Sequence, residues 1–356
     1  MKASTIKLAT LLKITIIVLA FLCSNVSLIA QLGGGSSYRF LDLANSSRIQ
    51  GLGGKNISLS DSDVNLTISN PALLDSTQSG SITLNYHNYI GDINYGFSSF
   101  THHVKNIGTF NLAMMYANYG KFKRADASGQ INGEFVANDL ALMVGYGRAI
   151  DSNIRIGANL KFFNSIYDFY YSNGLAVDLA ASYHKPNSLF SAGLVIQNIG
   201  FSFSKFSENE ALPLDIQAGV TYKLRHAPFR FSLTLANLQQ WDLTYDDPLA
   251  PQDFDPNTFE PIPAAEPTIL DKAAGHVIFA TEIVLSKNFN IQLGYNIRRR
   301  QELRFLDKKG MVGFSGGVAF KVKKFHLNYS VASYNLAGNS HSFSITTNIH
   351  DFRYKN

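Results

Sequence analysis

Cysteine is almost absent from this sequence, since Cys23 is the only one among 356 residues. It lies in an N-terminal segment, residues 1–30, in which three lysines and the apolar stretch ITIIVLAFL (14–22) precede small and polar residues. This layout is typical of a secretory signal peptide, and the apolar stretch is too short for a membrane-spanning helix. A lipoprotein anchor on Cys23 is the alternative, although Leu22 stands where a lipobox has a small residue. Cleavage near Ala30 leaves no cysteine, which excludes disulfides, thiol catalysis and cysteine-bound metals.

An excess of charge is also missing. Three of the 31 basic residues lie in the signal segment, which leaves 28 basic residues against 26 acidic ones in the mature chain. The sequence pI of about 9.0 therefore partly reflects the signal segment. We predict no nucleic-acid partner, because no basic surface is indicated.

Long apolar runs are absent after residue 78, where no stretch of 18 apolar residues occurs and no transmembrane helix is predicted. Polar and apolar residues alternate there instead. In FNIQLGYNIRRR (289–300), Phe289, Leu293 and Tyr295 fall on one face, and Asn290 and Gln292 fall on the other. Fourteen such segments occur, each long enough to cross a bilayer as a tilted strand. They lie near 79–89, 92–104, 107–119, 137–149, 153–167, 173–185, 188–199, 213–224, 228–242, 275–286, 289–303, 310–322, 324–335 and 339–349.

The connections between these segments alternate in length. Those after even-numbered segments are short, as at 105–106 and 287–288, whereas 120–136, 200–212 and 243–274 are long. Short turns at one end and long loops at the other are typical of outer-membrane barrels. We therefore predict an all-β fold, a 14-stranded antiparallel transmembrane β-barrel over residues 78–356, located in the outer membrane among its lipids, with 243–274 as an extracellular loop. A soluble β-sandwich with one solvent-exposed face is the alternative.

Residues 31–77 fit neither the signal nor the strands. A barrel of fourteen strands encloses more space than its inward side chains fill. We predict that this segment is an N-terminal plug in the lumen, in which YRFLDLANSSRI forms a short helix and Arg48 pairs with Asp178 or Asp215. The residues predicted to shape the plug are Arg48, Gly51, Gly53, Gly54, Asn70 and Pro71.

One stretch of the sequence is highly specific. GGSSYRFLDLANSSRIQGLGGKNISLSDSDVNLTISNPALL, followed by LNYHNYIGDINYG, GTFNLAMMYANYGKF, GEF and GLAVDLAASY, resembles the PorQ family of outer-membrane components of the type IX protein secretion system. The resemblance extends from Gly34 to Ile349, and it departs from the family at Ser47, where the family usually has alanine. It implies a plugged barrel of the class that includes the long-chain fatty acid transporters. It also implies a role with partners of the PorU, PorV and PorZ type in a complex that attaches exported proteins to an anionic lipopolysaccharide.

Motifs for catalysis or cofactor binding are weak. His102 and His103 point to opposite faces of a strand and cannot form one metal site. DFDPN (253–257) starts like a calcium loop, but Thr258 and Ala264 replace the glycine and glutamate that such a loop requires. GLGG lacks the flanking strand and helix of a phosphate loop, and no Gly-x-Ser-x-Gly motif occurs. We predict no enzyme activity, no cofactor and no metal.

The long loop carries eight acidic residues and six prolines from Asp242 to Asp271, with no lysine or arginine. Such a segment can steer and hold a basic partner, with aromatic residues as anchors. The predicted partner-binding residues are Trp241, Tyr245, Phe254 and Phe259. We predict that the loop docks a PorZ-like partner, and an inert solvated loop is the alternative. A transporter of small hydrophobic molecules is the alternative for the protein as a whole.

Overall fold

The computed structural model describes residues 36–185, 188–204, 206, 211–244, 267–303, 310–335 and 338–352. Within them the chain forms fourteen antiparallel strands, each paired with the next along the chain, and the first strand pairs with the last to close a barrel. The predicted fold class is thus confirmed. The predicted signal peptide, 1–30, lies outside the described residues. No helix in the described part is both long and apolar enough to span a membrane.

The strands follow the alternating segments of the sequence closely. They are β1 (Ser81–Asn88), β2 (Asn94–Val104), β3 (Gly108–Ala125), β4 (Ile131–Ala149), β5 (Ile154–Tyr167), β6 (Tyr170–His184), β7 (Phe190–Ser204), β8 (Asp215–Lys223), β9 (Phe229–Leu235), β10 (Val277–Ser286), β11 (Phe289–Asn296), β12 (Phe314–Val322), β13 (Phe325–Asn335) and β14 (Gly338–Asn348). We call the end with the β2–β3, β4–β5 and β10–β11 turns the short-turn end. The opposite end, where β9 leads to β10, is the long-loop mouth.

Several boundaries differ from the prediction: β9 ends at Leu235 where 242 was expected, and β7 continues to Ser204 where a loop from 200 was expected. Two other differences have a clear local cause. The expected loop 120–136 is mostly strand, because β3 and β4 continue pairing beyond a register shift at Gly120, whose positive φ of 85° permits it. Residues expected to extend β11 instead form a helix, which we call α4 (Ile297–Leu303). The Asn296 side chain accepts a hydrogen bond from Arg299 N at 2.9 Å, which is an N-cap geometry that ends the strand.

The inside and outside faces follow the predicted register. Gln292 is fully buried in the lumen, whereas the next residue, Leu293, is 51% exposed on the outer wall. At the short-turn end the rings of Phe110 and Tyr146 lie 5.2 Å apart on the outside. Paired aromatic residues at this level are typical of the interfacial belt of a membrane barrel.

Residues 36–77, which we call the plug segment, precede β1 and pack against inward side chains. The segment contains a 3-10 helix (Arg39–Asp42), α1 (Ser47–Gly51), α2 (Leu66–Ser69) and a further 3-10 turn (Pro71–Leu73), and another 3-10 turn (Ser76–Gln78) connects it to β1. The single helix expected over YRFLDLANSSRI is thus two, because Leu43 adopts an extended conformation between them. The Ser46 hydroxyl begins α1 by accepting a hydrogen bond from Ile49 N at 3.3 Å.

The core of the molecule lies inside the barrel, between the plug segment and the wall. On one side of the lumen Tyr38, Phe40 and Leu41 pack against apolar residues of β2 to β6, including Phe97 and Phe163. On the other side α1 contacts β11 to β14, and Ser47 Oγ donates to Ser344 Oγ at 2.8 Å. The plug segment is therefore bound to opposite walls of the lumen.

Candidate functional site: the filled lumen and the long-loop mouth

A buried cluster of charges joins the plug segment to the wall. Arg48 is 5% exposed and makes three ion pairs, through Nε to Glu282 Oε1 at 2.9 Å, through Nη2 to Asp61 Oδ2 at 2.7 Å and through Nη1 to Asp63 Oδ2 at 2.9 Å. Arg230 of β9 reaches Glu282 at 2.5 Å and Asp61 at 3.3 Å. Two guanidinium groups therefore share three carboxylates, near the short-turn end.

The members of this cluster hold one another in the ionised form. Burial disfavours ionisation at Asp61, but the charges of Arg48 and Arg230 outweigh it and keep the pKa of Asp61 below its usual range. Burial likewise acts against the charge of Arg48, yet Asp61, Glu282 and Asp63 raise the pKa of Arg48 well above its usual value. The pairs are therefore formed at neutral pH.

The carboxylates expected to pair with Arg48 have other partners, so that expectation is wrong. Asp178 pairs with Lys161 at 2.8 Å, and Asp215 pairs with Lys55 of the plug segment at 2.5 Å. Asp178 lies on β6 and Asp215 lies on β8, whereas α1 lies against β11 to β14. Arg48 thus meets the carboxylate on β10, Glu282.

The glycines of GLGG end α1 and bring its backbone to the wall. Gly53 and Gly54 have φ of 94° and 97°, which favour glycine, and Gly54 N donates to Ile49 O at 2.9 Å. A Cβ on Gly53 would lie 2.6 Å from Ile278 Cγ2, and one on Gly51 would lie 3.1 Å from Gln292 Oε1. These glycines therefore allow both a left-handed turn and a close approach.

Asn70 and Pro71 form a second rigid turn. Asn70 is fully buried, its Oδ1 accepts from Ala72 N at 3.0 Å, and its Nδ2 donates to Ile57 O at 2.6 Å. Pro71 takes the first position of a 3-10 helix, where its fixed φ and missing N–H are tolerated. The amide of Asn70 therefore ties together two stretches of the plug segment.

Sequence reasoning missed the glycines of the barrel wall that face this segment. A Cβ on Gly157 of β5 would lie 2.3 Å from the carbonyl carbon of Pro71, and one on Gly147 of β4 would lie 2.6 Å from Pro71 O. Gly193 and Gly294 meet the plug backbone in the same way, at 2.4 and 2.2 Å. The available signal was glycine at an inward strand position, which often marks close approach of another backbone.

The long-loop mouth contains part of the predicted partner-binding loop. Trp241 is 59% exposed and its ring stacks on His276, with centroids 5.8 Å apart. Asp242 pairs with Lys272 at 2.6 Å, and hydrogen bonds from Lys272 and Thr244 lower the pKa of Asp242 to about 2. The end of the expected loop forms a helix, α3 (Ile269–Ala274). Tyr245, Phe254 and Phe259 lie outside the described residues.

Free space inside the barrel differs between its middle and its mouth. A cavity of about 40 Å³, lined partly by Lys55, Lys161 and Gln217, lies between the plug segment and the wall. This volume suits a few water molecules. A larger pocket of about 250 Å³ lies at the long-loop mouth, where Arg39, Tyr89 and Arg299 contribute to its lining.

Comparisons with known proteins bear on the fold. No protein-family model matches this chain, and no curated protein matches it. Among solved structures, the toluene transporter TbuX of Ralstonia pickettii has a TM-score of 0.52 and 10% identity, over 87% of this chain and 99% of that chain. A Pseudomonas aeruginosa FadL homologue has a TM-score of 0.47 and 10% identity, over 86% of this chain and 98% of that chain. The likeness to TbuX shows that this chain has the fold of a bacterial outer-membrane barrel, which agrees with the predicted location in the outer membrane.

Proposed function

We propose that this protein is a non-enzymatic, closed outer-membrane barrel that anchors a protein assembly at the cell surface. The observation that carries the proposal is the filled lumen. Arg48 pairs with Glu282 of the wall, Lys55 pairs with Asp215, and the cavity between segment and wall is about 40 Å³. A barrel whose lumen is filled in this way can bind partners at its exposed ends but has no open passage through its described part.

The identity of the assembly rests on the resemblance to the PorQ family. The motif that carries the resemblance contains Arg48, Gly53, Gly54, Asn70 and Pro71, and each of these has a structural role in the plug segment. A motif that shapes the plug supports the plugged barrel that the family implies. We therefore propose that the protein belongs to the type IX attachment complex, with partners of the PorU, PorV and PorZ type.

A deletion strain tests this proposal. We expect it to secrete proteins that retain their C-terminal signal and are released to the medium in place of being attached to the cell surface. Complementation with the wild-type chain should restore attachment, which immunoblots of cell and medium fractions measure. Full attachment of cargo in the deletion strain would refute the role in type IX secretion.

The acidic loop is the proposed docking site for the soluble partner. Replacing residues 246–268 with a short Gly/Ser linker should leave the barrel at normal abundance while the PorZ-like partner is released to the medium. The physical reason is the loss of six of the loop's acidic residues, from Asp246 to Glu266, together with Phe254 and Phe259. A partner that stays bound to cells carrying this variant would show that docking occurs elsewhere.

Transport of small hydrophobic molecules is the second candidate. It is favoured by the apolar side of the lumen, where Tyr38, Phe40 and Leu41 cover Phe97 and Phe163, and by the fold shared with TbuX. Uptake of a radiolabelled aromatic hydrocarbon, measured in the same deletion strain, separates the two candidates. Reduced uptake with normal cargo attachment would favour transport, and the opposite result would favour the attachment complex.

A further inference from the structure

The pocket of about 250 Å³ at the long-loop mouth combines parts of several elements. The plug segment contributes Arg39 and Lys55, the ends of strands and their connections contribute Tyr89, His276 and Tyr334, and α4 contributes Arg299. Its volume is sufficient for one amino-acid side chain with its backbone, and below the range typical of drug-sized ligands.

Two of the cations in this pocket lack a carboxylate partner within the described part of the chain. Lys55 is neutralised by Asp42 and Asp215, each at 2.5 Å, and Arg298 pairs with Glu302 at 2.6 Å. Among the described residues, by contrast, Arg39 donates only to Ser36 Oγ, at 3.3 Å, and Arg299 has no ion pair. The pocket therefore has a surplus of positive charge on two guanidinium groups.

Arg299 is held in place without being satisfied. Its guanidinium lies 4.0 Å from the centroid of the Tyr334 ring, and its Nη2 donates to the Tyr334 hydroxyl at 3.3 Å. Its Nη1 is buried and has no hydrogen-bond partner within the described residues. A buried donor without a partner is unfavourable, so an acceptor that enters the pocket would gain this interaction.

Arg39 and Arg299 act on the same region of the pocket. Tyr89 packs edge-on against Tyr334, with ring centroids 4.7 Å apart. Burial raises the pKa of Tyr89, and the charges of Arg299 and Arg39 both act against that rise. Arg39, Tyr89 and Arg299 all line the pocket, so both guanidinium groups face the same space.

Several other polar groups of the pocket are already engaged. His276 places Nδ1 at 2.8 Å from Ala236 O and Nε2 at 3.1 Å from Trp241 O, and Asn237 Oδ1 accepts from Arg298 at 2.9 Å. Few groups are left to bind the hydroxyls of a sugar. Beside the pocket, the ring of Trp241 stacks on the lining residue His276 and is 59% exposed.

We propose that this pocket binds the carboxylate of an aspartate or glutamate on a protein partner, with Arg39 and Arg299 as the binding groups. The proposal deepens the proposed function, on which it rests for the existence of the partner. Planar guanidinium groups bind carboxylates through two parallel hydrogen bonds. Arg299 Nη2 already donates to Tyr334 Oη and to Gly53 O at 3.4 Å, and Nη1 has no partner among the described residues, so a small shift of the side chain toward the pocket would expose Nη1 to a carboxylate.

Binding of small probes to the purified mature barrel in detergent tests the proposal. Saturation-transfer NMR should detect N-acetyl-glutamate amide and should not detect N-acetyl-glutamine amide, which is isosteric and neutral. Arg299→Gln should weaken binding of the glutamate probe at least tenfold, because a charge-assisted hydrogen bond is lost. Arg124→Gln is the matched control, since Arg124 already pairs with Asp168.

The outcomes separate the proposal from its alternatives. Equal binding of the two probes, or unchanged binding by Arg299→Gln, would overturn it. Glucuronate that competes as well as the glutamate probe would also overturn it, in favour of an acidic polysaccharide. Heat-modifiable electrophoresis should show that each variant is folded, and Arg39→Gln provides a second test if Arg299→Gln does not fold. If the probe binds specifically but cargo is attached normally in the deletion strain, the proposed binding pocket is retained and the type IX role is refuted.

Discussion

Replacement of Gly157 by alanine tests whether the barrel wall and the plug segment are closely packed against one another. The new Cβ would lie 2.3 Å from the carbonyl carbon of Pro71, 2.4 Å from Pro71 O and 2.5 Å from Ala72 N. Ordinary contact begins near 3.4 Å, so the turn at Pro71 has to move by about 1 Å. Gly147 faces the same proline from the next strand, with a distance of 2.6 Å to Pro71 O. The turn therefore has no free space on that side.

We expect Gly157→Ala to destabilise the folded barrel by about 1 to 3 kcal/mol, the usual range for overpacking of a filled core. Urea unfolding in detergent, followed by heat-modifiable electrophoresis, measures this change. Conductance in planar bilayers should also become noisier or rise, because a displaced turn loosens the segment in the lumen.

Gly316→Ala is the matched control. Gly316 is also a strand glycine, but its Cβ would meet Gln292 O at 3.5 Å and Leu293 Cδ2 at 3.7 Å, which are ordinary contacts. We expect it to be neutral or slightly stabilising, because alanine lowers the entropy of the unfolded chain. Equal losses of stability in the two variants, or none in Gly157→Ala, would refute the close packing of the plug segment against β5.

Three further predictions concern charge, register and topology. Arg48→Met should destabilise the barrel by about 3 to 5 kcal/mol, because it leaves buried carboxylates with too few cations, and urea unfolding measures this loss. Leu293→Arg should cost about 2 to 4 kcal/mol if Leu293 lies near the bilayer midplane, whereas Asn290→Arg, on the inward face, should be milder, and similar losses would contradict the assigned faces. In intact cells a cysteine at Leu270 should react with an impermeant maleimide and one at Lys105 should not, so equal labelling would contradict the proposed orientation.

The strands and their faces could be predicted from the sequence because both depend on local periodicity. Leu293 and Gln292 are neighbours on one strand, and the choice between lipid and lumen follows from one side chain being apolar and the other polar. The helix at Ile297 was missed because the predicted strand was continued through RRRQ, where the alternation is weak. The side chain of Asn296 caps the helix and ends the strand there. Local signals thus explain most boundaries and one of the errors.

The partners across the lumen could not be predicted in this way. Arg48 meets Glu282, which is 234 positions away along the chain, and the choice among Glu282, Asp178 and Asp215 depends on where α1 packs. That packing depends on backbone approach at positions such as Gly294, whose Cβ would lie 2.2 Å from Gly53 N. A glycine in a strand indicates that something lies close, and it does not indicate which segment does so.

The energetics of the plug segment bear on where function resides. Withdrawal of the segment would separate Arg48 from Glu282 and Lys55 from Asp215, and both of these carboxylates are 1% exposed. Withdrawal would leave Glu282 paired with Arg230 at 2.5 Å, and water entering the lumen would solvate the freed groups. Passage through the lumen would nevertheless require that the plug segment lose these ion pairs and its packing against the wall. The long-loop mouth needs no such rearrangement, because Arg39 and Arg299 already line its pocket among the described residues. Binding at the mouth, unlike passage through the lumen, therefore requires no movement of the plug segment.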